Sequence, residues 1–337
     1  MYDHFINDVI IIGSGSAGRR HALALRELFP NARINVVKRS NSIQPTELLV
    51  QKNIDIVNGF ENIEDDSYDV VVIASPATFH FDDTLRMIEN SNYLLIEKPL
   101  TADLTSATRM QSTLDNSTKK LRVAYHLRFS ETVVKLKDLI ESGAYGKLAS
   151  ANFNYSQSLP LWRPLIDERQ SVSARKELGG GVLLELSHEI EAVQYLIGDI
   201  NSVSNVSLSN EGANTDGEVE SIATFAGETE NGANFSIHLD MITSPPIRKW
   251  SFKFESAEVG ANLLSGEIEI SLDGKDFHKI HESEKFERDR AEFLMLKSFL
   301  DIPNFNRIDL CTIGEATNVV KVIDAVKDSH ECRTKLI

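Results

Sequence analysis

Cysteine is nearly absent from this chain. Two occur among 337 residues, Cys311 and Cys332. There is no C-x-x-C pair and no Cys/His cluster, which argues against a zinc site or a disulfide framework and for reduced thiols in a cytoplasmic protein. Positive charge is short as well. The 35 lysines and arginines face 50 acidic residues, a formal net charge of -15. A chain this acidic is not a general binder of nucleic acid or of an anionic membrane, although a local pair such as Lys38-Arg39 can still meet a small anion. Long hydrophobic runs are missing too: none approaches the ~20 residues of a membrane-spanning helix. The opening MYDHFIND carries acids where a signal peptide carries bases. The remaining composition, 42% hydrophobic and 25% charged, is that of a soluble globular protein. The length exceeds the about 250–300 residues at which a single core stops growing, so two domains are expected.

The chain is organised around VIIIGSGSAGRRH, Val9 to His21. Four β-branched residues read as a buried strand, and Ala22, Leu25, Leu28 and Phe29 recur at helical spacing behind the glycines. Strand, G-x-G-x-x-G and helix together form a dinucleotide-binding fingerprint. Gly13 allows the tight turn, Gly15 lets the backbone approach a pyrophosphate, and Gly18 lets helix and strand pack closely. Ser16 and Ala17 then open a helix whose free N–H groups face the phosphates. The alternative is an ordinary strand–turn–helix with glycines for turn geometry only; the two correct flanks favour the cofactor.

Strand and helix alternate from there. Arg33–Lys38 reads as the second strand. Where NAD-binding proteins carry an acid for the ribose 2′-hydroxyl, this chain has Lys38, Arg39 and Ser40, and no carboxylate comes before Glu47. Basic and hydroxyl groups suit a 2′-phosphate, so NADP is preferred over NAD. Asp69–Ser75 is a buried parallel strand ending at Pro76, so Ser75, Pro76 and His80 are expected beside the cofactor. Phe81–Asn90 reads as a helix. Tyr93–Ile96 is another strand, ending in Glu97-Lys98-Pro99 at the same edge. Leu104–Leu114 makes a helix and Leu121–Tyr125 a last strand. The expectation is a doubly wound parallel sheet in residues 1–124.

Residues 125–337 change character. After a helix over Arg128–Ser142, short alternating segments dominate: Ala149–Tyr155, Val203–Leu208, Glu218–Phe225, Ala233–Asp240 and Lys249–Phe254. Alternation with short loops predicts a large antiparallel sheet. Its strands carry few charges, so a sheet open on one side would present an apolar face to a second copy. Between the strands, Trp162-Arg163-Pro164 and the triplet Gly179–Gly181 precede one helix-like run, VLLELSHEIEAVQYLIG. Glu185, His188 and Glu191 fall three apart on it. Without a further ligand cluster they predict no metal. Trp162 and Arg163 are either substrate contacts or loop anchors. Further helices are expected at Glu284–Leu300 and Thr312–Lys327.

The order G-x-G-x-x-G, strand-end EKP, Tyr125 to Phe129 and a glycine triplet before a His-bearing helix resembles the Gfo/Idh/MocA family, over nearly the whole chain. The resemblance implies an N-terminal Rossmann domain holding NADP or NAD. It also implies a C-terminal α+β domain with a mostly antiparallel open sheet, and a homodimer or homotetramer. The implied activity is hydride transfer between nicotinamide and a carbon of a sugar, cyclitol or sugar nucleotide, amino sugars included. Lys98 matches the EKP lysine that contacts substrate and nicotinamide, His188 the histidine assigned as general base, and Arg128 an arginine beside the substrate. The family Asp before the histidine is replaced here: Glu185 and Leu184 compete for its place, and Glu185 is the candidate to orient His188. That replacement is the feature that favours the alternative, a non-catalytic NAD(P)-binding sensor or scaffold.

Overall fold

The computed structural model describes residues 6–38, 47–63, 67–115, 117–162, 167–213, 217–283, 288–303 and 308–334, the last two by backbone alone. The chain divides into two compact units, Met1–His126 with Arg288–Thr317, and Leu127–Glu287 with Asn318–Ile337. A single cut after residue 124 does not describe this. The chain leaves the first unit after His126, and a later segment returns to it.

The first unit holds a six-stranded sheet: β1 (Asp8–Ile12), β2 (Arg33–Lys38), β3 (Asp55–Asn58), β4 (Tyr68–Ile73), β5 (Ser91–Ile96) and β6 (Lys120–Val123), in the order β3-β2-β1-β4-β5-β6. Every pairing is parallel. Its centre is built from β-branched and leucine side chains: Val9–Ile12, Val70–Ile73 and Leu94–Ile96 are fully buried. Such strands are covered on both faces, which is why they read as continuous apolar runs. The crossovers are α1 (Ser16–Leu28), α2 (Glu47–Gln51), α3 (His80–Met87) and α4 (Leu104–Leu114). Asp103 caps α4 by accepting from Ser106 N at 2.8 Å. The strand order reverses between β1 and β4, the place where open sheets of this kind bind ligands at their carboxyl edge.

In the second unit, α5 (Glu131–Glu141) precedes β7 (Leu148–Ser156). Then come α6 (Leu159–Trp162), α7 (Val182–Glu185) and α8 (His188–Ile197). The remaining strands are β8 (Ile200–Ser209), β9 (Ile222–Thr229), β10 (Asn234–Asp240), β11 (Ile247–Phe254), β12 (Glu258–Asn262), β13 (Glu267–Ser271) and β14 (His278–Glu282). They form one sheet, β14-β13-β12-β11-β7-β10-β9-β8, antiparallel except where β10 pairs with β7. Phe153, Trp250 and Phe252 pack on its inner face with ring centres 5.0 and 5.7 Å apart, and α8 lies against β7 and β10. The outer face is not apolar as expected. Asn152 donates to Ser251 at 3.1 Å and accepts from Ser236 at 2.5 Å, while Thr224 and His238 share a bond of 2.9 Å. Small polar residues alternate with the aromatic ones, so the few charges along these strands did not mean a greasy face.

Other expectations shift locally. The run Val182–Gly198 is broken at Leu186-Ser187 into α7 and α8. Arg128 and Phe129 stand in a 3-10 turn, His126–Phe129, ahead of α5, and Tyr125 lies beyond β6. The elements β3, α2 and β12 to β14 have no counterpart in the sequence reading.

The returning segment carries α9 (Arg288–Phe299), followed by α10 (Ile313–Thr334), whose first residues belong to the first unit. Phe299 packs edge-on against Tyr93 of β5 at 5.7 Å, and Asp301 pairs with Lys120 of β6 at 2.7 Å. The deeper link is ionic. Arg20 Nε donates to Glu292 Oε2 at 2.8 Å, and Glu292 Oε1 stands 3.3 Å from His21 Nδ1. His21 Nε2 lies 2.7 Å from Glu97 Oε1. Burial alone would lower the basicity of His21, but Glu292 and Glu97 raise it above the ordinary imidazole range. Burial alone would also raise Glu97; the hydrogen bond and charge of His21, with Arg20 and His126, bring it down to about 2.

The two shifts fix a pH window. The raised His21 contributes stability that is complete below about pH 6.5, its unfolded value, and is lost as pH rises through the higher folded value. The depressed Glu97 contributes above about pH 4.3 and loses its share as pH falls towards its folded value. The His21→Leu protein is expected to melt below wild type by the equivalent of roughly 3–5 kcal/mol, the cost of opening a buried pair. Calorimetry from pH 3 to 9 checks this: the gap should be widest between about pH 4.5 and 6.5 and narrow on both sides.

Candidate functional site

The carboxyl edge of the parallel sheet gathers three turns of the first unit. After β1, Gly13 has φ +117°, and a Cβ there would stand 2.4 Å from Ala74 O. A Cβ on Gly18 would stand 1.8 Å from Gly13 O. Both positions are closed by the protein's own backbone. Gly15 differs, with nothing within 4 Å of where a Cβ would be. It caps α1 without a side-chain acceptor, and the first turn of α1 carries no acid. Ser16 is exposed and Ala17 half-buried there. Free backbone donors, the positive end of a 13-residue helix and open space beside Gly15 suit a diphosphate. The residues present therefore fit a dinucleotide. Lys38 stands half-buried at the end of β2. Arg39 and Ser40 lie outside the described residues, as does Arg163.

After β4, the residues expected beside the cofactor are tied into the fold. Ser75 Oγ donates to Asp83 Oδ2 at 2.6 Å. His80 is buried, with Nε2 2.8 Å from Ser75 O and Nδ1 3.0 and 3.2 Å from Pro99 O and Leu100 O. Burial pushes this imidazole below its ordinary range, against the pull of those carbonyls and of Glu97. His80 thus joins the turn after β4 to the turn after β5. Pro76 is half-buried at the head of the short turn Ala77–Phe79.

After β5 comes Glu97-Lys98. Glu97 is buried and Lys98 half-buried. The Lys98 N–H donates to Glu97 Oε2 at 3.1 Å, so the carboxylate that grips His21 with one oxygen holds the lysine's backbone with the other. His21, Glu97 and Glu292 bring their ligand atoms within 4.8 Å of one another. Arg20 sets a positive charge beside this cluster, 2.8 Å from Glu292.

In the second unit, the break after α7 makes His188 the first residue of α8, buried at 8% exposure. Glu185 sits half-buried on α7, so Glu185, His188 and Glu191 do not share one continuous helix. Glu191 accepts from Arg128 Nε at 2.5 Å, and the Arg128 guanidinium lies 4.3 Å above the Tyr195 ring. Glu189 accepts from Arg248 Nε at 2.7 Å, with Arg248 stacked 4.4 Å over Tyr155. The sequence reading missed this second pair, along with Arg20, His21 and Glu292. His21 could have been noticed three residues after the last glycine, facing a strand-end glutamate. Trp162 ends α6 half-buried, its indole N–H without a hydrogen-bond partner among the described residues.

Comparison with known proteins gives this geometry a lineage. Residues 8–125 match the profile described as "Oxidoreductase family, NAD-binding Rossmann fold", and residues 133–255 the GFO/IDH/MocA C-terminal domain. A scyllo-inositol 2-dehydrogenase (NAD(+)) of Bacillus subtilis (strain 168) is 27% identical over 232 residues, covering 66% of this chain and 64% of that one. The chain spans less than two thirds of the length of the curated relatives it matches. Among solved structures, a levoglucosan dehydrogenase in complex with NADH and levoglucosan superposes with a TM-score of 0.82 at 19% identity, over 96% of this chain and 97% of that one. The WlbA dehydrogenase of Bordetella pertussis, in complex with NADH and UDP-GlcNAcA, gives 0.77 at 16%, over 97% and 96%. At these identities the superpositions speak for the fold. With both of its domain profiles matched in order, the chain belongs to the Gfo/Idh/MocA oxidoreductase family.

Proposed function

We propose that this protein is an NAD(P)-dependent oxidoreductase acting on a CH–OH group of a sugar, cyclitol or sugar nucleotide. One observation carries the reading: Lys98, held by its backbone at the carboxyl edge of the parallel sheet, shares that edge with a glycine turn open at Gly15 and an uncapped helix. The relatives named above are dehydrogenases of an inositol and of an anhydrosugar, which supports a polyol-type substrate. A sugar-nucleotide substrate draws its support from the WlbA structure.

When bound, the nicotinamide supplies the hydride exchange. The protein's own residues handle the proton and the charge. An alcohol carbon can give up a hydride only as its hydroxyl proton leaves. His188 is the proposed base, since a neutral imidazole offers a ring nitrogen that accepts a proton. The Lys98 ammonium stabilises negative charge as it builds on the substrate oxygen. Arg128 and Trp162 are proposed to border the substrate, with Arg163. Glu185, in the place the family resemblance points to, is the carboxylate proposed to orient His188.

Replacing His188 by Asn should lower kcat by about 10²–10⁴-fold with cofactor binding retained, the usual share of a general base. Replacing Lys98 by Met should damage both KM and kcat. Steady-state assays over a panel of inositols, aldoses and sugar nucleotides check this. A variant with near wild-type kcat/KM assigns its residue a structural part. A wild type that binds cofactor and turns over nothing in the panel would instead favour the sensor or scaffold reading.

NADP is the proposed preference, supported by Lys38, Arg39 and Ser40 in place of an acid. Each charge-assisted bond to a 2′-phosphate adds roughly 1.5–3 kcal/mol. Fluorescence titration should give tighter binding of NADPH than of NADH, and the Lys38→Ala, Arg39→Ala double variant should remove the difference. Equal wild-type affinities would mean these side chains do not meet the 2′ position.

A homodimer or homotetramer in a cytoplasmic setting completes the proposal. With the outer face of the second sheet polar, self-association rests on its row of small side chains and not on apolar area. Light scattering at micromolar concentration reads the state, and a strictly monomeric mass would overturn it.

A further inference from the structure

The groups around His21 form a longer chain than an ion pair. It starts at the glycine turn, where Ser16 Oγ accepts from Arg20 Nη1 at 2.8 Å. It runs through Arg20 Nε to Glu292, at 2.8 Å, and on to His21 Nδ1 at 3.3 Å. From His21 Nε2 it reaches Glu97 at 2.7 Å, and it ends where Glu97 accepts the Lys98 N–H at 3.1 Å. Every link lies within the first unit. His21 is fully buried and Glu292 is 1% exposed, so neither is a chance surface contact. Buried charges persist only when each is paired, and here positive and negative groups alternate.

We propose that His21 is a positioning residue, which acts through Glu97 to fix the backbone of Lys98 and ties that lysine to the glycine turn. This rests on the oxidoreductase reading for its catalytic consequence, though not for its structural one. The imidazole is the only member that touches both carboxylates. Its contact on Nε2 leaves Glu97 one oxygen for His21 and the other for the Lys98 amide. Without it, Glu97 loses the hydrogen bond on Oε1 and keeps only the charges of Arg20 and His126, and the carboxylate turns towards one of them and releases the amide. Glu292 sets the far side of the imidazole. It comes from α9, so the segment that returns to the first unit completes the support of Lys98. The charged groups that face this chain are Arg20 on α1, Glu97 at the end of β5, Glu292 on α9, Asp289 at 3.8 Å from Arg20, and His126, whose charge acts on Glu97.

The test needs no substrate at its first step. Amide exchange at Lys98 is followed by NMR in the full-length protein, for wild type, His21→Leu, His21→Gln and Glu292→Gln. His21→Leu should speed exchange at Lys98 by about tenfold or more, as expected when a local hydrogen bond is opened. His21→Gln keeps a donor for Glu97 and should restore much of the protection. Glu292→Gln, which keeps the shape of the side chain, should shift the imidazole titration of His21 downwards and loosen the Lys98 amide to a smaller degree. In assays, His21→Leu should lose about 10–100-fold in kcat, as for a reacting group displaced by a fraction of an ångström to an ångström, while KM for cofactor stays within about twofold. Unchanged Lys98 exchange in folded His21→Leu overturns the proposal. If that variant does not fold, unchanged exchange in Glu292→Gln does so. Loss in KM for cofactor alone also overturns it, since His21 would then serve only the glycine turn. If the wild type turns over no substrate, the oxidoreductase reading fails while the exchange measurement still decides the role of His21.

Discussion

A fully buried imidazole between two carboxylates is the constraint around which the first unit is assembled. Taking Glu97 and Glu292 out of water costs several kcal/mol each unless opposite charge meets them. His21 and Arg20 supply that charge from adjacent positions on α1. The requirement reaches across 272 positions of sequence, from Arg20 to Glu292. It gives a physical reason for the chain to come back to its first sheet: α9 brings a carboxylate that α1 must have, and Phe299 and Asp301 then fasten the segment to β5 and β6. A helix that returned with an apolar residue at 292 would leave the Nδ1 side of His21 without its counter-charge and Arg20 with only the more distant Asp289 of that helix.

The second unit solves a similar problem differently. The first turn of α8 carries two buried glutamates, and each is met by an arginine stacked on a tyrosine. Stacking strips water from the guanidinium and stiffens it, so the pairing costs less side-chain entropy than a free pair would. The helix is therefore held by polar contacts at the very turn that begins with His188. The break at Leu186-Ser187 makes this possible, because it resets the helical phase between Glu185 and His188. Glu185, on α7, is thereby set apart from the two glutamates of α8.

What the sequence made legible is what depends on near neighbours. Arg33–Lys38 and Leu104–Leu114 were read with the bounds the structure gives, because a β-branched run and an Asp-capped apolar period are local properties. The four-residue β3 and the charged β13, EIEIS, escaped for the same reason: their strand character comes from pairing and not from their own composition. The contacts of Ser75 and His80 were not legible, because strand-end position says where a side chain starts but not what it meets. His80 meets three carbonyls from two distant turns. Arg248 and Glu292 gave no signal, since a lone arginine in a strand and a lone acid in a helix are ordinary until a partner from far along the chain fixes their meaning.

The outer face of the second sheet shows how far such reasoning reaches. Few charges along Asn234–Leu239 suggested surface in search of cover. The structure instead shows asparagine, serine, threonine and histidine bonded to one another across strands β7, β9, β10 and β11. Each cross-strand bond satisfies a donor and an acceptor within the chain, so this stretch of the face is polar and not a greasy patch. The free edge is handled the same way. Lys279 on β14 pairs with Glu267 and Glu282 at 2.6 and 3.0 Å, and the bonds of Glu267 and Glu282 push its ammonium up to about 12. Charge on an edge strand discourages pairing with a foreign strand. A second copy meeting this sheet across β7, β9, β10 and β11 would therefore have to match its polar pattern, whereas beside β14 it would meet the exposed side chains of Leu272, Phe277 and Ile280.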